Sequence, residues 1–180
     1  LGYFHPAIPV TLEEFELHKI EFNKERFCNP FINDQVLLNF FGDDSESIKK
    51  EFLKKNADGN FNFKEGFNSQ RKLQDYFDKN PNDAAGKLIS LAANVLFLIE
   101  EKDGVEVYHP RIHISKTDSY KYLSATEKQQ VDFIYDDYFY KRQDDLWYKT
   151  AMEKLPIILN STKMLICGED LGMVPDCVPE

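Results

Sequence analysis

The stretch MLICGEDLG, Met164 to Gly172, decides how this chain is to be read. Met164-Leu165-Ile166-Cys167 is apolar without alternation, the pattern of a strand buried on both faces, as in a parallel barrel or a doubly wound sheet. Upstream lie a turn at Asn160-Ser161-Thr162 and, before it, a helical pattern closing at Pro156. Helix, turn and buried strand make one α/β unit, and one parallel strand cannot make a sheet. The pattern therefore predicts a strand whose neighbours lie outside these 180 residues.

Working outward, Ser124-Ala125-Thr126-Glu127 has the form of a capping box. It opens a helical pattern through Val131, Ile134, Tyr135 and Tyr138 that continues past Trp147, Ala151 and Leu155. Lys141 to Asp145 is polar all round, which predicts a break there. Val95 to Glu100, a turn at Lys102-Asp103-Gly104, and Val105 to Tyr108 predict the chain's one clear β-hairpin. Further helices are expected from about Ser45 to Lys55, from Glu65 to Lys79, and from about Asn82 with the stripe Ala84, Ala85, Leu88, Leu91 and Ala92. Thr11 to Phe41 reads as short helices, and Leu1 to Val10, with Pro6 and Pro9, as an extended segment. The fold class is mainly α with a small β-hairpin, plus the one strand segment.

The composition allows a proper core, with 42% hydrophobic residues, 15 Phe and 9 Tyr. Acidic residues outnumber Lys and Arg by 31 to 22, and the net charge of −9 repels phosphate backbones and anionic lipid heads. Neither nucleic acid nor a membrane is an expected partner, and the longest apolar run, Val95 to Ile99, is far below the ~20 residues of a bilayer span. Cys28, Cys167 and Cys177 are odd in number and widely spaced, which predicts reduced thiols and a cytoplasmic setting. The chain starts at Leu1 without a leader pattern, and it reads as excised from something longer.

Glu169 is the strongest catalytic candidate, because a carboxylate at the C-terminal end of a parallel strand projects into the mouth that barrel enzymes use. By periodicity alone such a residue is more often a helix cap or a turn residue. Lys54 to Glu65 imitates a calcium loop with Gly59 sixth and Glu65 twelfth, but Lys54 stands where a carboxylate ligand belongs. An Asp-Gly turn between two helices is the better reading. Among His5, His18, His109 and His113, only the last two are close in sequence, and Pro110 intervenes, so each reads as a structural histidine. Cys167 and Cys177 lack zinc or redox spacing and read as small buried hydrophobes.

AMEKLP (Ala151 to Pro156) and MLICGEDLGMVP (Met164 to Pro175) resemble the 4-α-glucanotransferases of glycoside hydrolase family 77, the amylomaltases. HPRI (His109 to Ile112), DDYFYKRQDDLW (Asp136 to Trp147) and NSQRK (Asn68 to Lys72) are similar to the type 2 disproportionating enzymes, which carry a long insertion within the catalytic (β/α)8 TIM barrel. The resemblance implies that Glu169 is the general acid/base and Asp170 a sugar-contacting neighbour. It also implies a division into residues 1–10 leaving the barrel, residues 11–145 forming a mostly helical insertion, and residues 146–180 returning as helix and barrel strand.

The implied substrates are α-1,4-glucans such as maltose and maltodextrins, handled by retaining double displacement without metal or organic cofactor. That chemistry needs two carboxyl groups ~5–5.5 Å apart, and Glu169 supplies only one. The family's nucleophile, in an Arg-x-Asp-His segment, would precede Leu1, and its transition-state-stabilising aspartate would follow Glu180, so the chain reads as an internal fragment, inactive alone. The other reading is a non-catalytic helical glucan-binding or protein-interaction module, using aromatic residues such as Trp147, Tyr138 and Tyr140; core packing is the commoner role of such residues.

Overall fold

The structure is a computed structural model and describes residues 7–167. Its helices begin where side chains satisfy the free N–H groups of a first turn. Thr11 and Glu14 form a capping box on α1 (Leu12–Leu17), and Asn23 and Asn33 cap α2 (Lys24–Cys28) and α3 (Asp34–Phe41). α4 (Ser45–Phe52) follows a 3-10 turn, and Ser69 caps α5 (Gln70–Phe77), which α6 (Ala85–Ala92) follows. Thr117 caps α7 (Asp118–Lys121), and the capping box read at Ser124 and Glu127 opens α8 (Ala125–Tyr140). The polar stretch after Tyr140 breaks the helix as expected, and α9 (Asp144–Ser161) resumes beyond it.

Two antiparallel hairpins accompany the helices. β1 (Leu53–Lys55) pairs with β2 (Phe61–Phe63), and β3 (Phe97–Lys102) with β4 (Val105–Pro110). The second is the expected hairpin, with Lys102 opposite Val105 across a two-residue turn. Asp103 and Gly104 both have positive φ, 53° and 79°, the geometry whose twist matches the flanking strands.

Apolar side chains gather into two cores. The first joins Phe15, Phe27, Phe97, Tyr108, Ile134 and Tyr138 with their neighbours. Its rings interlock: Phe15 meets Phe97 edge-on at 5.5 Å between centroids, while Phe27 stacks on Phe97 at 5.9 Å. The second core packs α3 to α6 against the first hairpin through Val36, Leu37, Phe52, Leu73, Leu88 and Leu91. Short main-chain bridges tie loops to the hairpins, Val10 to Tyr108 and Ile32 to Phe61.

Several sequence expectations are corrected. The helix read to Lys55 stops at Phe52, because Leu53 to Lys55 turns to pair with Phe61 to Phe63. The Asp58-Gly59 turn accordingly joins two strands, not two helices. Pro156 does not end α9, which continues through it to Ser161. Met164 to Cys167 forms no strand, and Met164 and Leu165 are 77% and 89% exposed. A strand exists only through the partner that completes its hydrogen bonds, and no described residue provides one. Cys167 is exposed, not buried. No helix among the described residues is long and apolar enough to cross a membrane.

Candidate functional site

Glu169 and Asp170 lie outside the described residues, which end at Cys167. The helix leading toward them is unlike the other long helix: α9 buries none of its residues completely. Tyr148, Met152, Leu155 and Leu159 follow helical spacing along one side, and all four are exposed. With Ile157, Ile158, Met164 and Leu165 they make the end of the described chain an apolar surface without cover among the described residues.

The break between α8 and α9 sits against the incoming chain. Gln143 is completely buried; its Oε1 accepts from the Ile8 N–H at 2.7 Å and its Nε2 donates to the Ile8 carbonyl at 3.0 Å. Arg142 beside it pairs with Glu14 at 2.7 Å and Asp137 at 2.5 Å, and donates to the Pro9 carbonyl at 3.0 Å. Side chains at 142 and 143 thus clamp the backbone at 8 and 9, more than 130 residues away in sequence.

Of the other candidates, His109 is structural, as its surroundings predict. It is completely buried, with Nδ1 2.8 Å from the Tyr138 hydroxyl and Nε2 2.8 Å from Glu100, and so ties the second hairpin to α8. His18 lies edge-on to Phe133 on the surface, and His113 takes a left-handed backbone, φ 56°, before a 3-10 turn. Cys28 is enclosed enough that burial pushes its thiol up to about 12, so it is protonated and unreactive at neutral pH. In the calcium-like loop both Asp58 oxygens serve Asn60, one accepting its backbone N–H at 3.0 Å and the other its amide at 2.9 Å. Those bonds hold the Asp58 carboxyl below its usual range and shape a hairpin turn. Tyr138 belongs to the core, whereas Tyr140 is 53% exposed.

One feature had no counterpart in the sequence reading. A groove of about 230 Å³ runs between α2 with its following loop and the first hairpin. Asn23, Asn29 and Phe31 stand on one wall and Asn56, Asn60 and Asn62 on the other. A neighbouring cleft of about 180 Å³ continues it past Lys54 and Asn68, sharing Asn29 and Asn62. Arg26 lies over the Phe31 ring at 4.7 Å and donates through Nη2 to the Ser119 carbonyl, while its buried Nη1 has no partner among the described residues. Burial pulls this guanidinium below its ordinary range, although it remains charged. The signal in the sequence is a density of asparagines between Asn23 and Asn62.

No family model matches the chain, and no solved structure does. One similar protein is 4-alpha-glucanotransferase DPE2 of Oryza sativa subsp. japonica, 31% identical over 188 aligned residues that cover 99% of this chain. The chain spans 20% of the length of that relative. The resemblance first carried by Glu-Asp-Leu-Gly therefore extends over nearly every residue: the chain is similar, end to end, to one stretch of a 4-alpha-glucanotransferase.

Proposed function

We propose that this chain is an internal segment of a 4-α-glucanotransferase that passes α-1,4-glucan pieces between maltooligosaccharides, and that it is inactive by itself. The observation that carries the reading is the 31% identity sustained over 99% of the chain. Residues 11–145 act as the insertion, and residues 146–180 return to the barrel as a helix and a strand. Two features support that division. The clamp of Gln143 on Ile8 holds the flanks of the insertion side by side, as grafting it into another domain requires. The uncovered apolar side of α9 and the exposed Met164 and Leu165 are what a barrel helix and strand present before their neighbours cover them.

In this reading Glu169 is the general acid/base. Its carboxylic acid protonates the departing glucan oxygen while an aspartate elsewhere in the parent attacks the sugar carbon. As carboxylate it then takes the proton from the 4-hydroxyl of an acceptor sugar, which attacks the glycosyl-enzyme in place of water. Asp170 contacts or supports the sugar beside it. A cytoplasmic setting goes with this reading. Replacing Glu169→Gln in the full-length protein should lower transfer from maltose or maltodextrin by about 10²- to 10⁴-fold. Transfer at the unaltered rate would remove Glu169 from the mechanism.

A further inference from the structure

We infer that the groove between the α2 loop and the first hairpin is a glucan-holding subsite, separate from the Glu169 segment, that takes a neutral α-1,4-linked chain. The inference rests on the glucanotransferase reading for the identity of the sugar, and on the groove itself for the site.

Its wall chemistry selects the ligand class. Five asparagines line the main groove, and each amide offers both an acceptor oxygen and a two-proton donor. Sugar hydroxyls likewise donate and accept at once, so amides match them without regard to charge. The carboxylates nearby already hold partners: both Asp58 oxygens accept from Asn60, and Glu25 accepts from the Asn29 amide at 3.0 Å. Acidic and basic residues are mixed along the walls, Glu25 and Asp58 against Arg26 and Lys54, so neither an anion nor a cation is favoured.

What remains are the amides of Asn56 and Asn62. Both are half-buried, and neither makes a side-chain hydrogen bond among the described residues. Half-exposed amides on the walls of a groove bond water, and can exchange it for the hydroxyls of a sugar. Pro30 and the edge of the Phe31 ring add some apolar surface for the C–H faces of sugar rings. The two clefts, about 230 and 180 Å³, lie below the ~300–1,000 Å³ of pockets that swallow a whole ligand. Adjoining clefts of that size suit successive rings of a chain lying across the surface.

The walls are also held firmly enough to present those groups. The Phe61 N–H donates to the Ile32 carbonyl at 2.8 Å across the base, and the hairpin turn is closed from the Asn56 N–H to the Asn60 carbonyl at 2.8 Å. Neither bond involves the side chains of Asn56 or Asn62, so these can be changed without removing what shapes the groove.

The test titrates the 180-residue chain with maltoheptaose and follows the side-chain amide signals of Asn56 and Asn62 by NMR. Saturable shifts at millimolar sugar are expected, with affinity, read in the variant from the backbone amides of residues 56–62, falling about tenfold in Asn56→Ala/Asn62→Ala at unchanged melting temperature. Asn62→Trp, which fills the groove instead of emptying it, should abolish the shift at Asn56. Silent amides in the unaltered chain, or undiminished binding in both variants, overturn the subsite. Transfer by the full-length protein is assayed alongside. Transfer with a silent groove ends the subsite alone, while a sugar-binding groove in a protein that transfers nothing ends the transferase reading alone.

Discussion

α8 and α9 are consecutive helices of similar length, 16 and 18 residues, yet they stand in opposite relations to the rest of the chain. α8 buries Val131, Ile134, Tyr138 and Phe139 in the first core, while α9 buries nothing completely although Met152, Leu155, Ile157, Ile158 and Leu159 stand along it. Apolar content alone therefore does not place a helix in a core; a surface to bury against does. Up to Gln143 the chain gathers two buried cores, and beyond it no described residue of α9 is fully buried.

That contrast can be broken by truncating one residue in each region. Phe97→Ala removes a ring that meets Phe15 and Phe27 in the first core and should cost about 3–5 kcal/mol, read as a lower urea midpoint. Leu155→Ala on the exposed side of α9 should change the stability of this chain by less than about 0.5 kcal/mol. If α9 is a barrel helix, as proposed, the same change in the full-length protein should cost about 2–5 kcal/mol. Equal small costs in both settings would make α9 a free surface helix and remove it from the barrel.

Smaller effects sharpen the description of the body. His109→Leu takes a partner from the Tyr138 hydroxyl and from Glu100 and should destabilise by about 1–3 kcal/mol, measurable by chemical denaturation. Cys28 should alkylate more than about 100-fold slower than the exposed Cys167 at pH 8, scored by peptide mass after iodoacetamide. The sign follows from the raised thiol. Below the ordinary thiol value both states are protonated and Cys28 adds no pH dependence; as pH rises from there to about 12 only the unfolded state ionises, so stability falls across that window.

Legibility in the sequence followed the same division. Elements fixed by their own residues could be read directly: the hairpin at Asp103-Gly104, the capping box of Ser124 and Glu127, and the break after Tyr140. β1 escaped notice because Leu53-Lys54-Lys55 is short, lacks β-branched residues, and becomes a strand only through Phe61 to Phe63. Met164 to Cys167 was read as a strand for a sheet that no described residue contributes to. The groove was invisible for a related reason: Asn29 and Asn62 are 33 positions apart, and only the fold brings them to one cleft. Glu169 was reached through resemblance and through the expected strand end, two routes that need no local contacts.

The clamp at Ile8 and Gln143 has a mechanical meaning. Because the incoming and outgoing chain are joined there, tension applied through the two flanks would load the reciprocal Ile8–Gln143 bonds and the Val10–Tyr108 bridge first. Val10 and Tyr108 lie at the edge of the first core, so the line of force ends there and leaves the second core outside it. The body hangs from its attachment like a weight from a closed ring, and a pull that straightened the flanks would leave Phe97 and Leu88 in place until the ring itself opened.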